Sequence, residues 1–513
     1  MGVPSSEKLF GVRISRCAKE KDSSTCGANS GAREYGLVGY WDWTMTSETE
    51  TRQRECGVQR APGSFRDPAG FAFLQNGRLF RQVNASYRHH YDFLISSGLF
   101  KALVEAGSLI PHVPVDLSWR QSENACAILE AERVPFVSYP YEWSFGELKA
   151  AALHTLAVQR QALEFGMSLK DATGYNIQFV KGRPILIDVL SFEIYEEGTP
   201  WVAFRQYCQH FLAPLALMAY TDIRLSQLLR IHIDGIPLDL ASLLLPFRSW
   251  LSFSILAYIH FHALAQRCLV NRRPKRSAKT VSRNALLGFV ESLEAGIQRL
   301  KWKASSTEWG DYYDKADYSS AAFRHKKEIV SGFLERVHPG VLWDLGANTG
   351  VFSQIAADKG MQTISFDKDP LAVEKNYQEC KRQGRTNILP LLLDLTNPSS
   401  GTGWANTERL SLLDRGPAQV ILCLGLVHHL ALSNNVPLST IARFLSTIGT
   451  FFVIEFIPKS DRQVQRLLAT REDVFTDYYM EAFERDFSEY FTIHEKVGIA
   501  DSSRALYLME VIR

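Results

Sequence analysis

The chain holds 513 residues, enough for about three domains at roughly 150 residues each. Hydrophobic residues make up 46% and charged ones 22%, which excludes a disordered or collagen-like chain. Lys and Arg number 57 against 55 Asp and Glu, a net charge of +2, and so even a balance argues against nucleic acid as the main partner.

Residues 1–62 are rich in Ser, Thr, Arg, Glu and Gly and keep neither a strand nor a helix period. They read as a poorly ordered arm, with Tyr35 to Trp43 docking locally. The opening MGVPSSEKLFGVRISR lacks a continuous apolar run, so no secretory signal is expected. The eight cysteines stand singly with no CxxC pair, which suggests neither a thiolate zinc site nor a disulfide framework and fits a reducing cytoplasm. The expected location is cytoplasmic.

Residues 63–245 read as an α+β domain. GFAFLQNGRLFRQVN predicts two strands around Asn76-Gly77, a pair that accepts the positive φ angles of a tight hairpin. Tyr87 to Ala106 has helical spacing, and Glu147 to Phe165 predicts an amphipathic helix of good helix formers. IQFV and PILIDVL form a second hairpin across Lys181-Gly182-Arg183. Asp171, Asn176 and then Asp188 beyond that hairpin have the spacing of a phosphotransferase catalytic loop and metal-binding strand.

On those residues, 65–245 resembles a distant protein-kinase-like or aminoglycoside-phosphotransferase-like fold. The resemblance implies that Asp171 orients an acceptor hydroxyl, that Asn176 and Asp188 hold Mg²⁺, and that SYPYEW is the hinge. The departures are a missing glycine-rich loop, LKD in place of His-Arg-Asp, Asp188-Val189-Leu190 in place of Asp-Phe-Gly, and Arg81 where a lysine belongs. Active phosphotransfer, a degenerate binding module and a chance likeness all stay open.

Residues 246–320 read as a helical segment and a basic linker. Trp250 to Ala265 is apolar but carries His260 and His262, and it is shorter than the roughly 20 residues a membrane span needs. It reads as a buried or substrate-covering helix, with membrane association as the alternative. Asn271 to Thr280 carries Arg272, Arg273, Lys275, Arg276 and Lys279 with no acid, as a solvated linker does or a contact to an anionic lipid or polyanion.

From 321 to 513 strands and helices alternate, the pattern of an open parallel sheet. VLWDLG, TISFD, ILPLLLD, QVILCLG and FFVIEF read as parallel strands, and FTIHEKVG with RALYLMEVI as a closing antiparallel hairpin, seven strands in all. After the first strand, Asp344-Leu345-Gly346-Ala347-Asn348-Thr349-Gly350 forms a turn that lets main-chain N–H groups approach a ligand. Asp367 ends the second strand, where a carboxylate can accept both hydrogens of a ribose diol; Asp394 ends the third, where it and Leu395 can read an adenine edge.

This ordered series resembles the class I S-adenosylmethionine-dependent methyltransferases. The resemblance implies that Asp344 helps hold the methionine ammonium, that Gly346, Asn348 and Gly350 close around the methionyl and ribose parts, that Asp367 takes the ribose, and that Asp394 and Leu395 meet the adenine. Asn348 stands where many members have glycine, and Asn tolerates the left-handed conformation. The terminal hairpin separates this family from plain dinucleotide dehydrogenases, the competing reading. His428 and His429 end the fourth strand, with no basis for choosing between them as proton acceptor, and Glu455 ends the fifth. Asn434-Asn435 and the aromatics Tyr478, Tyr479, Phe483, Phe487, Tyr490 and Phe491 either line an acceptor pocket or pack as core. No metal-ligand cluster appears in the sequence.

The expected fold is therefore α/β: a seven-stranded doubly wound Rossmann-like methyltransferase sheet, preceded by an α+β kinase-like domain and a helical segment. The expected activity is S-adenosylmethionine-dependent methyl transfer to a small-molecule, sugar or lipid-linked acceptor, because no Asn-Pro-Pro-Tyr motif follows the fourth strand. The alternative is a phosphotransferase or nucleotide-binding module in the N-terminal half, with an accessory C-terminal domain. The layout as a whole also resembles the host-specificity nodulation proteins of rhizobia, which implies a lipo-chitooligosaccharide or other glycoconjugate acceptor.

Overall fold

The computed structural model of the protein describes residues 57–269, 281–303, 320–469, 473–474 and 476–512. The described chain begins with an antiparallel sheet of five strands in the order β1 (Val58–Arg60), β2 (Gly70–Gln75), β3 (Arg78–Asn84), β5 (Ala125–Ala131), β4 (His112–Val115). Asn76 (φ 53°) and Gly77 (φ 75°) close the β2–β3 hairpin, as their residue types predict. β1 corrects the expected arm: Val58–Arg60 pairs with Phe73–Gln75, so the sheet begins before residue 62. Residues 1–56 and the basic run 271–280 lie outside the described residues.

The helix expected over Tyr87–Ala106 is two, Arg88–Ser96 and Leu99–Glu105, because Gly98 takes φ 86° between them. Helix α1 (Phe145–Glu164) starts on a capping box: Ser144 Oγ accepts from the Glu147 N–H at 3.3 Å, and the Glu147 carboxylate accepts from the Ser144 N–H at 2.8 Å. It is not the two-faced helix its sequence suggests. Helix Arg283–Arg299 covers its outer side, where Arg160 pairs with Glu294 at 3.2 Å and Lys149 Nζ donates to the Gln298 and Leu300 carbonyls. Two small ladders follow, β6 (Met167–Leu169) with β9 (Phe192–Ile194) and β7 (Ile177–Val180) with β8 (Arg183–Leu186).

The stretch Trp250–Ala265 also departs from the continuous helix, buried or substrate-covering, expected there. It is split among the turn Phe247–Leu251, the short helix Phe253–Ile255, a wide turn Leu256–His260 and the helix Phe261–Leu269. Phe247 (82% exposed) and Phe253 (67%) face outward, while His260 is buried between the Ser242 and Ser249 hydroxyls. Among the described residues no helix is long and apolar enough to cross a membrane.

The second half is a mixed seven-stranded sheet in the order β12 (Ile388–Leu392), β11 (Gln362–Asp367), β10 (Val341–Leu345), β13 (Ala418–Cys423), β14 (Gly449–Phe456), β16 (Ala505–Val511), β15 (Phe491–Gly498). The first five run parallel; β16 is antiparallel to both neighbours. Helices α2 (Ser320–Val337), α3 (Val351–Asp358) and α4 (Pro370–Gln383) flank it, which is why strands such as β12 are apolar and buried throughout.

The expected separation at 246–320 is not how the core is built. One apolar cluster runs from Trp143 and Leu148 through Trp343 and Phe366 to Phe452. Phe136 stands edge-on against Trp343 and Phe366, with centroids 5.6 and 5.9 Å apart. The SYPYEW segment forms this seam rather than an open hinge. Glu142 accepts both prongs of Arg415 at 2.8 and 2.6 Å and the Ser399 hydroxyl at 2.6 Å, while Tyr139 Oη accepts from the Leu410 N–H at 2.6 Å.

Candidate functional site

The carboxyl ends of β10, β11 and β12 open into one cleft, where ligands bind in open sheets of this kind. Asp344, the fourth residue of β10, is buried there, and Ser353 Oγ on α3 donates to its Oδ2 at 2.6 Å. Burial, followed by the nearby charge of Asp367, pushes its carboxyl up to about 7.

The turn after β10 follows its sequence closely. Gly346 (φ 77°), Asn348 (φ 53°) and Gly350 (φ 82°) all take left-handed backbone. The N–H groups of Gly346 and Ala347 both donate to the Phe366 carbonyl, at 2.8 and 2.9 Å. The departure at Asn348 is accommodated, because its Oδ1 accepts from the next N–H, of Thr349, at 2.8 Å.

Asp367 holds the turn from the neighbouring strand. Its Oδ2 accepts from the Asn348 N–H and its Oδ1 from the Asp369 N–H, both at 2.8 Å. Those bonds use two of about four lone-pair sites of the carboxylate. Burial pushes this carboxyl up to about 6 against the pull of those N–H groups. Asp394 is exposed at the rim, where its Oδ1 accepts from the Thr396 N–H at 2.9 Å and hydroxyl at 2.6 Å, with Leu395 beside it.

Asp344, Gly346, Asn348, Asp367, Asp394 and Leu395 therefore border one cleft. Gly350 does not. It caps α3 behind the turn, and a Cβ there would stand 2.4 Å from Asn376 Oδ1.

The adjacent histidines separate. His429 borders the cleft, whereas His428 is turned inward, 5% exposed, with no partner for Nδ1 among the described residues. Burial lowers His429 to about 4 and His428 well below the usual imidazole range, so both rings are neutral near pH 7. Glu455 borders the cleft too, but it is tied: Lys326 Nζ of α2 donates to its Oε2 at 2.7 Å, and Arg504 Nη1 lies 3.6 Å from Oε1. Arg504 in turn pairs with Asp461 at 2.7 Å. A carboxylate so engaged is suited to fixing cations rather than to taking up a proton.

Lys326, Arg504, Phe323 and Ser353 were missed by the sequence reading. Phe323 and Lys326 lie one turn apart on α2, a spacing that also fits an ordinary helix face, and Arg504 sits beside a surface hairpin turn. Asn434 borders the cleft and Asn435 turns the chain at φ 56°. Tyr478, Phe483, Phe487 and Phe491 are core, and Tyr478 donates to the Ile457 carbonyl.

In the N-terminal half Asp188 and Asn176 meet at Ser191, whose hydroxyl donates to Asp188 Oδ2 at 2.9 Å and accepts from Asn176 Nδ2 at 3.1 Å. Arg81 Nη2 donates to Asp188 Oδ1 at 2.5 Å. Asp171 Oδ1 accepts from the Thr173 N–H at 3.1 Å, and burial, with Asp188 nearby, raises its carboxyl.

No protein-family model matches the sequence. The chain is 34% identical over 459 residues to "Nodulation protein NoeA" of Rhizobium meliloti (strain 1021), covering 88% of this chain and 96% of that one. Among solved structures it is similar to the N-methyltransferase NodS of Bradyrhizobium japonicum WM9 at 14% identity and TM-score 0.28, over 38% of this chain and 99% of that one. It is also similar to the magnesium protoporphyrin IX methyltransferase ChlM of Synechocystis PCC 6803 with bound SAH, at 15% identity and TM-score 0.30, over 40% and 93%.

Proposed function

The chain belongs to the family of the nodulation protein NoeA, and from that premise we propose that it is an S-adenosylmethionine-dependent methyltransferase. The observation that carries the reading is the alignment of Asp344, Asp367 and Asp394 along one rim, with the Gly346–Asn348 turn between the first two. The residues present fit the cofactor. Asp344, at the cleft, would hold the ammonium, Asp367 has acceptor sites left that would take the ribose hydroxyls, Gly346 adds no side chain to the cradle, and Asp394 with Leu395 would meet the adenine.

The cofactor supplies an electrophilic methyl group on a sulfonium. The protein's share is alignment and exclusion of water, because displacement at that carbon depends chiefly on how donor and acceptor are held. His429 is neutral and at the cleft, so it can accept a proton from an acceptor hydroxyl or amine, although burial makes it a weak base.

The acceptor we propose is a hydroxyl- or amine-bearing small molecule or glycoconjugate, consistent with a part in nodulation signalling from the cytoplasm. Family membership supports it, and so do the polar side chains Lys326, His429, Asn434 and Arg504 that line the cleft together with the carboxylates. Calorimetric titration of the full chain with S-adenosylmethionine tests the cofactor, and labelled cofactor in cell extract identifies the product. A folded protein that fails to bind at millimolar cofactor defeats the proposal.

A second reading concerns the N-terminal half alone: a nucleotide-binding or phosphotransfer module around Asp171, Asn176 and Asp188. The convergence of Asp188 and Asn176 on Ser191, with Arg81 beside them, favours it. Thermal stabilisation by Mg²⁺-ATP that Asp188→Ala abolishes would support it, and no stabilisation by any nucleotide would reject it.

A further inference from the structure

Beyond Asp394 the rim gives onto a second cavity of about 330 Å³, large enough for a small metabolite. The two hollows share Lys368, Leu393 and Asp394. The outer wall of the second comes from the N-terminal half: Tyr141 from the seam, and Arg224 and Arg230 from the turn-and-helix segment 223–231.

Two independent observations define what this cavity would accept. The Tyr141 side chain is 2% exposed and its hydroxyl has no hydrogen-bond partner among the described residues, although the seam around it is densely bonded. A buried hydroxyl left in that state is a standing demand for an acceptor atom. The charges point the same way. Arg224 and Arg230 line it with one carboxylate among the described residues, Asp394, which already accepts twice from Thr396.

Asp222 answers Arg224 at 2.7 Å. Arg230 has no carboxylate partner among the described residues. It donates instead to the Asn397 and Pro398 carbonyls, at 3.3 and 2.8 Å, and so stands fixed at the cavity edge.

We infer that this cavity is a binding site for a small oxyanion-bearing molecule, held by the Arg230 guanidinium and the Tyr141 hydroxyl. A phosphate or carboxylate oxygen is the acceptor the Tyr141 hydroxyl lacks, and the guanidinium keeps N–H donors beyond those given to the two carbonyls, which match either oxyanion. Because Leu393 and Asp394 form a wall of both hollows, a bound anion orders the rim of the first, and occupancy of either site strengthens the other. That last clause rests on the cofactor reading above; the anion site does not.

Calorimetry on the full chain without cofactor tests it, with inorganic pyrophosphate and citrate as probes and sodium chloride holding ionic strength constant. The expected result is one saturable site for at least one probe, and which probe binds tells phosphate from carboxylate chemistry. Arg230→Gln weakens that binding about tenfold or more. Tyr141→Phe, which keeps the ring in its packing, weakens it several-fold. No saturable binding up to about 10 mM, or equal binding by both variants, overturns the site.

A titration of S-adenosylmethionine with the better probe at saturation then reads the coupling, expected as a several-fold gain. Unchanged cofactor affinity overturns the coupling and leaves the anion site standing. Failure of the cofactor to bind at all defeats the earlier reading and likewise leaves the anion site intact.

Discussion

Glu142 and Arg415 meet in a two-pronged ion pair from which water is nearly excluded, their side chains 1% and 2% exposed, across 273 residues of sequence. The guanidinium also lies over the rings of Phe136 and Tyr139, at 4.9 and 5.1 Å. Removing one partner strands a buried charge. Arg415→Met is expected to lower the stability of the whole chain by about 3–5 kcal/mol, and adding Glu142→Gln to recover part of it. Chemical denaturation of the three proteins measures both; an Arg415→Met protein as stable as wild type would show the pair to be dispensable.

Asp367 should matter to the cofactor more than any other single carboxylate, because it both fastens the turn and faces the cleft. Asp367→Ala is expected to weaken S-adenosylmethionine by about 1.5–3 kcal/mol, the range for hydrogen bonds to a charged group. Calorimetry at fixed pH reads it, and wild-type affinity in the variant would remove Asp367 from the site.

Asp344 and Asp367, pushed up to about 7 and 6, give a pH dependence of definite sign. Each keeps its proton to higher pH when folded than when unfolded, so folding takes up protons between about pH 4 and 7. These two groups therefore make the cofactor-free protein less stable as pH rises through that window, with the loss complete above it. A cation in the cleft favours the ionised carboxylates, so cofactor affinity should climb between pH 5.5 and 7.5. Asp344→Asn should flatten the climb, and equal affinity at both pH values in the wild type would contradict it.

Gly350 is outside the cleft yet cannot be replaced freely. An added methyl would combine φ 82° with a 2.4 Å approach to Asn376. Gly350→Ala is expected to cost about 1–3 kcal/mol in thermal or chemical unfolding. An unchanged midpoint would mean that α4 can move aside.

The C-terminal sheet was legible because each of its strands is a short apolar run ending in a polar turn, and because left-handed positions favour Gly and Asn. Gly346, Asn348 and Gly350 carried that signal and kept it, although the same residue type serves the cleft at 346 and helix capping at 350. The paired histidines show where pattern stops. Adjacent residues on a wide helical turn point different ways, and only packing decides that His429 and not His428 reaches the cleft. Glu455 read as a candidate base because its strand end was visible, while Lys326 and Arg504, 129 and 49 positions away, were not. The seam was equally hidden: SYPYEW looks like a connector, and its partners Ser399, Leu410 and Arg415 lie more than 250 residues downstream.

Phe136 set edge-on to Trp343 and Phe366 has a consequence for how such a chain can change over generations. Neither half can be swapped for a foreign counterpart without also rewriting the other's interior, so insertions, deletions and recombination should be confined to surface loops. A lineage carrying this seam would diversify by altering the rim and its neighbouring hollow, with the two halves inherited together.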